Sequence, residues 1–366
     1  MITRKRILID LLRLRFPNTG LGQVCMAYGR ALARINHPAM QFTFLVPSEM
    51  TGIFGNTVDY ITARPIKDLF CHYRLSGQFD LWHSTHQDVQ YYPNKQVIYV
   101  LTIHDLNFIR EKSERKIKQR TKNLYSLVQR ANAVVAISNF TKRDMKAHLA
   151  LHTPVEVIYN GVDKPSENTG ERPAWAFADG EYFFAIGVFK PNKNYQSLVR
   201  LIYAYPGTQL IIAGTNDTAY GKMIRDMIRD YGLQQRILTP GVVNETEKAW
   251  LYAHCRALLF PSTNEGMGLP IIEAMHRGKP VVASAMSCMP EFGGDYAYYF
   301  PSFDPTVMRA TIEESLMHYH RHPEQILAMQ HYAAQFSWDK HAEEYVKLFE
   351  RLLNCEARGT LVVGTE

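Results

Sequence analysis

Residues 261–283 read PSTNEGMGLPIIEAMHRGKPVVA. Apolar runs lie on both sides of a polar, glycine-rich loop, which spells strand, loop, helix and strand. Pro270 suits the opening of a helix, where its missing N–H costs nothing, and Gly278 followed by Pro280 suits the end of a helix of about two turns. The helix therefore starts right after Gly266, Met267 and Gly268, with Leu269 and Pro270 as its first residues. Its free N–H groups and the positive end of its dipole point into the loop, where they would hold a phosphate. Helical side chains lean toward the N-terminus, so Glu273, one turn in, is expected at the same mouth as Glu265. Two carboxylates and an anion hole suit a ligand with both vicinal hydroxyls and a phosphate, and a nucleotide sugar has both. Taken alone, a Glu-Gly-x-Gly loop with two solvated glutamates would be the ordinary reading.

The rest of the chain fits an α/β enzyme of two domains. At 366 residues it exceeds one ordinary domain, and 46 % hydrophobic against 21 % charged residues is globular. No apolar run reaches the length of a membrane span, and the opening MITRKRILIDLL runs from a basic cluster straight into a strand-like segment, so a cytoplasmic protein is expected. Cys25, Cys71, Cys255, Cys288 and Cys355 are scattered without metal-ligand spacing and read as reduced. The net charge of +6 is uneven: residues 1–164 carry 23 Lys/Arg against 12 Asp/Glu, leaving 18 against 23 for the remainder. A basic first half suggests an anionic counterpart, either a membrane surface or a phosphate-linked acceptor, with a merely soluble basic surface as the alternative. Nucleic acid is not expected, because the basic residues are not interleaved with aromatics in any nucleic-acid motif.

In the first half, strand-like KRILIDLL (5–12) feeds PNTGLGQVCMAYGRALARI (17–35), a glycine loop and an amphipathic helix. The pair Gly20 and Gly22 falls short of a dinucleotide fingerprint. Further strand-like runs at QFTFLVP, VDYIT, DLWHST, QVIYVLTIHD, AVVAIS and VEVIYNGV alternate with helical patterns, which argues for a parallel sheet covered on both faces. His104 and Asp105 sit at the carboxyl end of a strand, where open α/β sheets place ligands. His83 and His86 also end a strand but lack carboxylate or cysteine partners, so no metal is expected. The run REKSERKIKQRTK (110–122) reads as a solvated basic helix, with contact to anionic lipid headgroups left open. Residues 164–180, rich in Pro, Gly and polar side chains, read as the linker.

The second half restarts with YFFAIGV and then FKPNKNYQSLVRLIYAY. Lys193 precedes the helix, so an ammonium and free helix N–H groups would together cradle a diphosphate. Asn244 with Glu247 three residues on forms a capping box.

Five phrases now stand in order: the glycine loop at 20–22, TIHDLNF (102–108), SNFTKRDM (138–145), VIYNGVD (157–163) and the 261–283 stretch, with seven residues between its two glutamates. Together they resemble the retaining, family-4-type glycosyltransferases of the GT-B fold over about residues 5–353. The resemblance implies two Rossmann-like, doubly wound domains facing across a cleft. An acceptor-side domain would span 1–163, the linker 164–180 and a nucleotide-sugar domain 181–337, with a final helix at 338–354 crossing back. It implies retaining, metal-independent transfer of a hexose, mannose as the first guess, from a nucleoside-diphosphate sugar to a hydroxyl of a glycan or lipid-linked acceptor. Cell-surface polysaccharide synthesis would be the setting, at the inner face of the membrane. Glu265, His104 and Lys193 would be catalytic. Donor binding would fall to Gly22, Gly187, Lys190, Lys193, Val243, Glu265, Gly266, Met267, Gly268, Leu269 and Glu273, with Gly241–Val243 at the base. Gly20, His104 and Asp105 would lie on the acceptor side, and no cofactor is implied beyond the donor. Many members carry an arginine after the strand glycine or beside the lysine, where this chain has Val188 and Asn192; Lys190 is the candidate for the second charge, a point charge in place of a bidentate fork. A non-catalytic nucleotide-sugar binder and a GT-B epimerase remain as alternatives; a phosphorylase lacks its pyridoxal phosphate lysine environment.

Overall fold

The computed structural model describes residues 4–17, 19–62, 78–89, 91–149, 151, 153–166, 169–178 and 182–357. The chain divides into two units, residues up to Asp163 together with those from Ser337 on, and Lys164–Phe336.

In the first unit, seven parallel strands run β1 (Lys5–Asp10), β2 (Met40–Val46), β3 (Asp59–Thr62), β4 (Leu81–Ser84), β5 (Ile98–Ile103), β6 (Ala133–Ala136) and β7 (Val155–Val157). Their spatial order is β3-β2-β1-β4-β5-β6-β7. The central strands are buried on both faces, which explains their unbroken apolar runs. Helices α1 (Gly20–Arg34), α2 (Phe108–Glu111), α3 (Glu114–Val128) and α4 (Asn139–His148) connect them. The order reverses between β1 and β4, whose register pairs Ile7 with Leu81. That reversal opens a crevice at the carboxyl ends of the two strands.

The second unit repeats the plan with β8 (Tyr182–Ile186), β9 (Gln209–Ala213), β10 (Ile237–Gly241), β11 (Leu258–Phe260), β12 (Val281–Ser284) and β13 (Ala297–Phe300), in the order β10-β9-β8-β11-β12-β13. Helices α5 (Tyr195–Ala204), α6 (Ala219–Asp230), α7 (Glu245–His254), α8 (Leu269–His276), α9 (Met289–Gly293), α10 (Pro305–Arg321) and α11 (Glu324–Ala333) follow the strands. Here the reversal falls between β8 and β11, the strands that lead into the Lys193 and Glu265 loops.

Residues 164–180 were expected as a linker, and those of them that the structure describes, 164–166 and 169–178, belong to the second unit. Trp175 Nε1 donates to Glu247, Arg277 donates to the Ser166 carbonyl, and Gly170 packs against the Thr246 methyl. The last helix, α12 (Trp338–Ala357), packs on α1 and the first sheet. Tyr345 stacks on His83 and its hydroxyl meets Thr102 at 2.7 Å, while Phe349 and Leu353 join the same core.

Candidate active site

Two loops at the second unit's switch point are stitched together by Asn192. Its side-chain N–H donates to the Asn264 carbonyl at 2.8 Å, and its own carbonyl accepts the Thr263 N–H at 2.7 Å. The stitch brings Lys193, after β8, beside Glu265, after β11: Nζ lies 2.7 Å from Oε1, with each side chain only 14 % exposed. This is an ion pair approached off the hydrogen-bond line, since Oε1 is buried without an aligned donor. The ammonium also stands 5.1 Å over the Phe260 ring. Glu265 is held from behind by Ser287, whose hydroxyl accepts the Glu265 N–H at 3.1 Å from a left-handed backbone with φ of 51°.

Gly187 supplies the room for this pair. A Cβ there would lie 2.9 Å from Lys193 Cε and 3.1 Å from Nζ. Beyond it, Gly214 fits its bare Cα against the Gly187 carbonyl, 2.2 Å from where a Cβ would stand, so the ends of β8 and β9 close without side chains.

Helix α8 begins at Leu269 with no side-chain cap on Gly268, and Pro270 sits in its first turn. The N–H groups of Gly266, Met267, Gly268 and Leu269 have no acceptor among the described residues. That row is the expected anion cradle. The other expected cradle, at α5, is occupied. Asn194 adopts the left-handed conformation and makes no side-chain cap, and the Tyr220 hydroxyl caps the helix by taking the Gln196 N–H at 3.4 Å. Lys190 is exposed, with no ion-pair partner among the described residues. Gly241 turns with φ of 87°, Val242 is fully on the surface and Val243 is half-buried.

Glu273 has its own partners. Tyr252 donates to its Oε2 at 2.6 Å, and Lys248 lies 3.5 Å from Oε1. The two glutamates are thus fixed by separate neighbours, and α7, which carries Lys248 and Tyr252, was not read from the sequence as part of the site. The capping box of Asn244 and Glu247 that starts α7 is present as expected.

In the first unit, the carboxyl ends of β1, β4 and β5 gather Asp10, Thr85, His86 and His104, all buried. His104 Nε2 bonds the Thr85 carbonyl at 2.9 Å, so Nε2 carries the proton and Nδ1 keeps a lone pair without a partner among the described residues. Burial holds His104 neutral, down to about 4. His86 has the opposite tautomer pattern. Its Nδ1 accepts from Arg13 at 3.2 Å and from the Asp88 N–H at 2.9 Å, which leaves an Nε2–H donor. Burial, then His104 and the Arg13 and Arg120 guanidiniums, push His86 well below the ordinary range. The rings lie 5.4 Å apart, one keeping an acceptor nitrogen and the other a donor N–H. Asp10, raised to about 6 mainly by burial, lines a small cavity of about 80 Å³ beside them with Arg13, Arg15 and Thr85. Asp10 ends β1 as His104 follows β5, and the same positional rule would have found it.

Other expectations need correction. Gly20 and Gly22 lie inside α1: the Gly22 N–H is taken by the Thr19 hydroxyl at 3.2 Å, and its missing Cβ makes room for the Phe16 carbonyl. Gly22 is a packing glycine in the first turn of α1. Asp105 Oδ1 accepts the Asn107 N–H and shapes the turn before α2. His83 is bonded to Thr102 and Tyr28 inside the core. Cys25, Cys255 and Cys288 are buried free thiols, Cys355 is half-buried, and Cys71 lies outside the described residues. The basic run 110–122 is split between the end of α2 and the start of α3, beside which a cavity of about 560 Å³ is lined by Lys112, Lys116 and Arg120 over Phe108, Leu124 and Leu127. No helix among the described residues is long and apolar enough to cross a membrane.

Residues 169–327 match the family described as Glycosyl transferases group 1, and residues 55–164 match Glycosyltransferase Family 4. The chain belongs to the family-4-type GT-B glycosyltransferases. It is accordingly a transferase enzyme. This glycosyltransferase is 25 % identical over 356 residues to the O-antigen chain mannosyltransferase RfbU of Salmonella typhimurium, covering 91 % of this chain and 96 % of that protein. It is 24 % identical over 281 residues to the O-antigen chain mannosyltransferase B of Escherichia coli, covering 72 % of each. Among solved structures it is similar to the sucrose-phosphate synthase of Thermosynechococcus elongatus, with a TM-score of 0.75 at 18 % identity over 96 % of this chain and all of that one. Anabaena HepE in complex with UDP and glucose gives a TM-score of 0.71 at 17 % identity over 95 % of this chain and all of that one. These likenesses establish the GT-B fold.

Proposed function

We propose that this glycosyltransferase moves a hexose, mannose as the first choice, from a nucleoside-diphosphate sugar to a hydroxyl of a glycan or lipid-linked acceptor, with retention at the anomeric carbon. The observation that carries the reading is the buried Lys193–Glu265 pair in one unit with four consecutive open N–H groups at 266–269. Lys193 would take the diphosphate, Glu265 the sugar hydroxyls near the anomeric centre, and Glu273 the ribose diol. The similarity to O-antigen chain mannosyltransferases supports mannose and a polysaccharide of the cell surface. The UDP and glucose of the Anabaena structure support a nucleotide-sugar donor.

Charge grows on the leaving diphosphate, so the chemistry needs preorganised positive groups there. Lys193, the 266–269 N–H row and Lys190 from the surface would supply them, in a design without cofactor or metal. On the first unit, His104 would accept a hydrogen bond from a sugar hydroxyl through Nδ1. We place the acceptor beside the basic α3 cavity, whose three cations and apolar floor fit a phosphate on an apolar chain and would rest on an anionic inner membrane surface.

The experiment is release of nucleoside diphosphate, measured with GDP-, UDP-, ADP- and TDP-hexoses, with and without acceptor, with and without a chelator. Acceptor-dependent release from one donor that survives the chelator is the expected result. Binding of a nucleoside diphosphate without turnover would put the non-catalytic binder first.

A further inference from the structure

One group in the donor site is unexplained by its neighbours. Tyr195 opens α5, is 1 % exposed, and its hydroxyl has no hydrogen-bond partner among the described residues. Proteins rarely leave such a donor buried and unpaired. The hydroxyl stands 3.1 Å from the point where a Gly187 Cβ would lie, and Lys193 Nζ stands 3.1 Å from the same point. The ammonium and the phenol thus share one notch, and the ammonium alone reaches Glu265. Glu265 Oε1 is itself buried without an aligned donor. A buried unpaired donor and a buried under-bonded acceptor flank one lysine.

We infer that Tyr195 is the reserve partner of Glu265: when Lys193 turns to the donor's diphosphate, the Tyr195 hydroxyl takes over Oε1 and keeps the carboxylate oriented. The inference rests on the reading of Lys193 as the phosphate-binding lysine. A buried carboxylate stripped of its counter-charge would otherwise move or take up a proton. Burial first, and Glu265 second, hold the phenol far above its ordinary range, so it remains a neutral donor throughout. No proton is transferred; one hydrogen bond replaces one ion pair. Tyr195 is therefore a positioning residue that acts through Glu265.

The test is a double-mutant cycle on the full chain without ligand: wild type, Tyr195→Phe, Lys193→Met and the double variant, compared by thermal midpoint at one pH and salt. Phenylalanine keeps the ring and removes only the unpaired hydroxyl, so Tyr195→Phe is expected to leave the wild-type midpoint unchanged or raise it. In the Lys193→Met background the hydroxyl has become the partner of Glu265, and the same substitution is expected to lower the midpoint by about 2–4 °C. Equal effects in the two backgrounds overturn the inference. With the donor identified, Tyr195→Phe should lower kcat at least tenfold and leave the donor KM within about twofold; a wild-type kcat also overturns it. A Lys193→Met enzyme with wild-type turnover would instead sink the donor-site reading, and the exchange with it, whatever the midpoints do.

Discussion

Lys193 and Glu265 meet at 2.7 Å although one follows β8 and the other β11, because those strands are neighbours only where the order of the sheet reverses. Each is largely buried, and each is the other's counter-charge. Lys193→Ala and Glu265→Ala should therefore each reduce turnover by at least a hundredfold, about 3 kcal/mol in the barrier. The double variant should be far less than additive, because each single change leaves a buried charge alone. Steady-state rates and thermal midpoints of the three variants check this, and near-normal turnover in either single variant would remove the pair from the site.

Gly187→Ala tests the notch. Its Cβ would press on Lys193 Cε at 2.9 Å, at a φ of 148° that side chains rarely adopt. Nucleoside-diphosphate affinity should fall at least tenfold by calorimetry while the chain stays folded. Gly214→Ala is the contrasting case, since the Cβ meets rigid backbone at 2.2 Å, and soluble yield and midpoint should both drop.

His104→Ala removes the Nδ1 lone pair that would meet a sugar hydroxyl and leaves the Thr85 carbonyl without its partner. Turnover should fall ten- to a hundredfold. His104→Gln, which can restore a donor toward Thr85, should recover stability more than rate. Equal recovery of both would reduce His104 to a structural role.

Acid should unfold the first unit early. His104 and His341 titrate near 4 in the folded chain against 6.5 when unfolded, and His83 and His86 lie well below 6.5, in every case chiefly through burial. Below pH 6.5 the unfolded chain binds protons that the folded chain refuses. Stability from these groups is present above 6.5 and lost as pH falls; for His104 and His341 the loss runs down to about 4 and is of order 2 kcal/mol each at pH 5. Asp10 has the opposite sign. Its folded value of about 6 lies above the unfolded 3.8, so its ionisation costs stability at neutral pH and the cost is relieved as pH falls. Thermal midpoints from pH 7.5 to 4.5 should decline, and Asp10→Asn should raise the midpoint at pH 7 and steepen the decline. A flat profile would contradict the neutral histidine cluster.

Much was legible in the order of residues. The alternation of apolar strands and amphipathic helices carried both parallel sheets, because strands buried on two faces must be apolar throughout. Pro270, Gly278 and the Asn244–Glu247 capping box marked helix ends through backbone chemistry local to a few residues. Lys193, Glu265 and the glycine-rich loop were readable because a helix start presents its N–H groups whatever surrounds it.

What the sequence did not show came from contacts that no local pattern encodes. Gly22 looks like a phosphate-loop glycine until the Phe16 carbonyl is found against it. The α5 start looks open until Tyr220 closes it from α6. Nothing local shows that Tyr252 and Lys248 of α7 hold the Glu273 carboxylate. Nothing around Tyr195 in the sequence marks its hydroxyl as unpaired, since pairing is decided by Gly187, Lys193 and Glu265 from three separate loop positions. The sequence by itself determined where strands and helices run and which groups their ends expose, because those depend on residues a few positions apart. Only the tertiary structure decided which of those groups are already satisfied, because a buried donor or charge takes its partner from whichever chain segment packs against it.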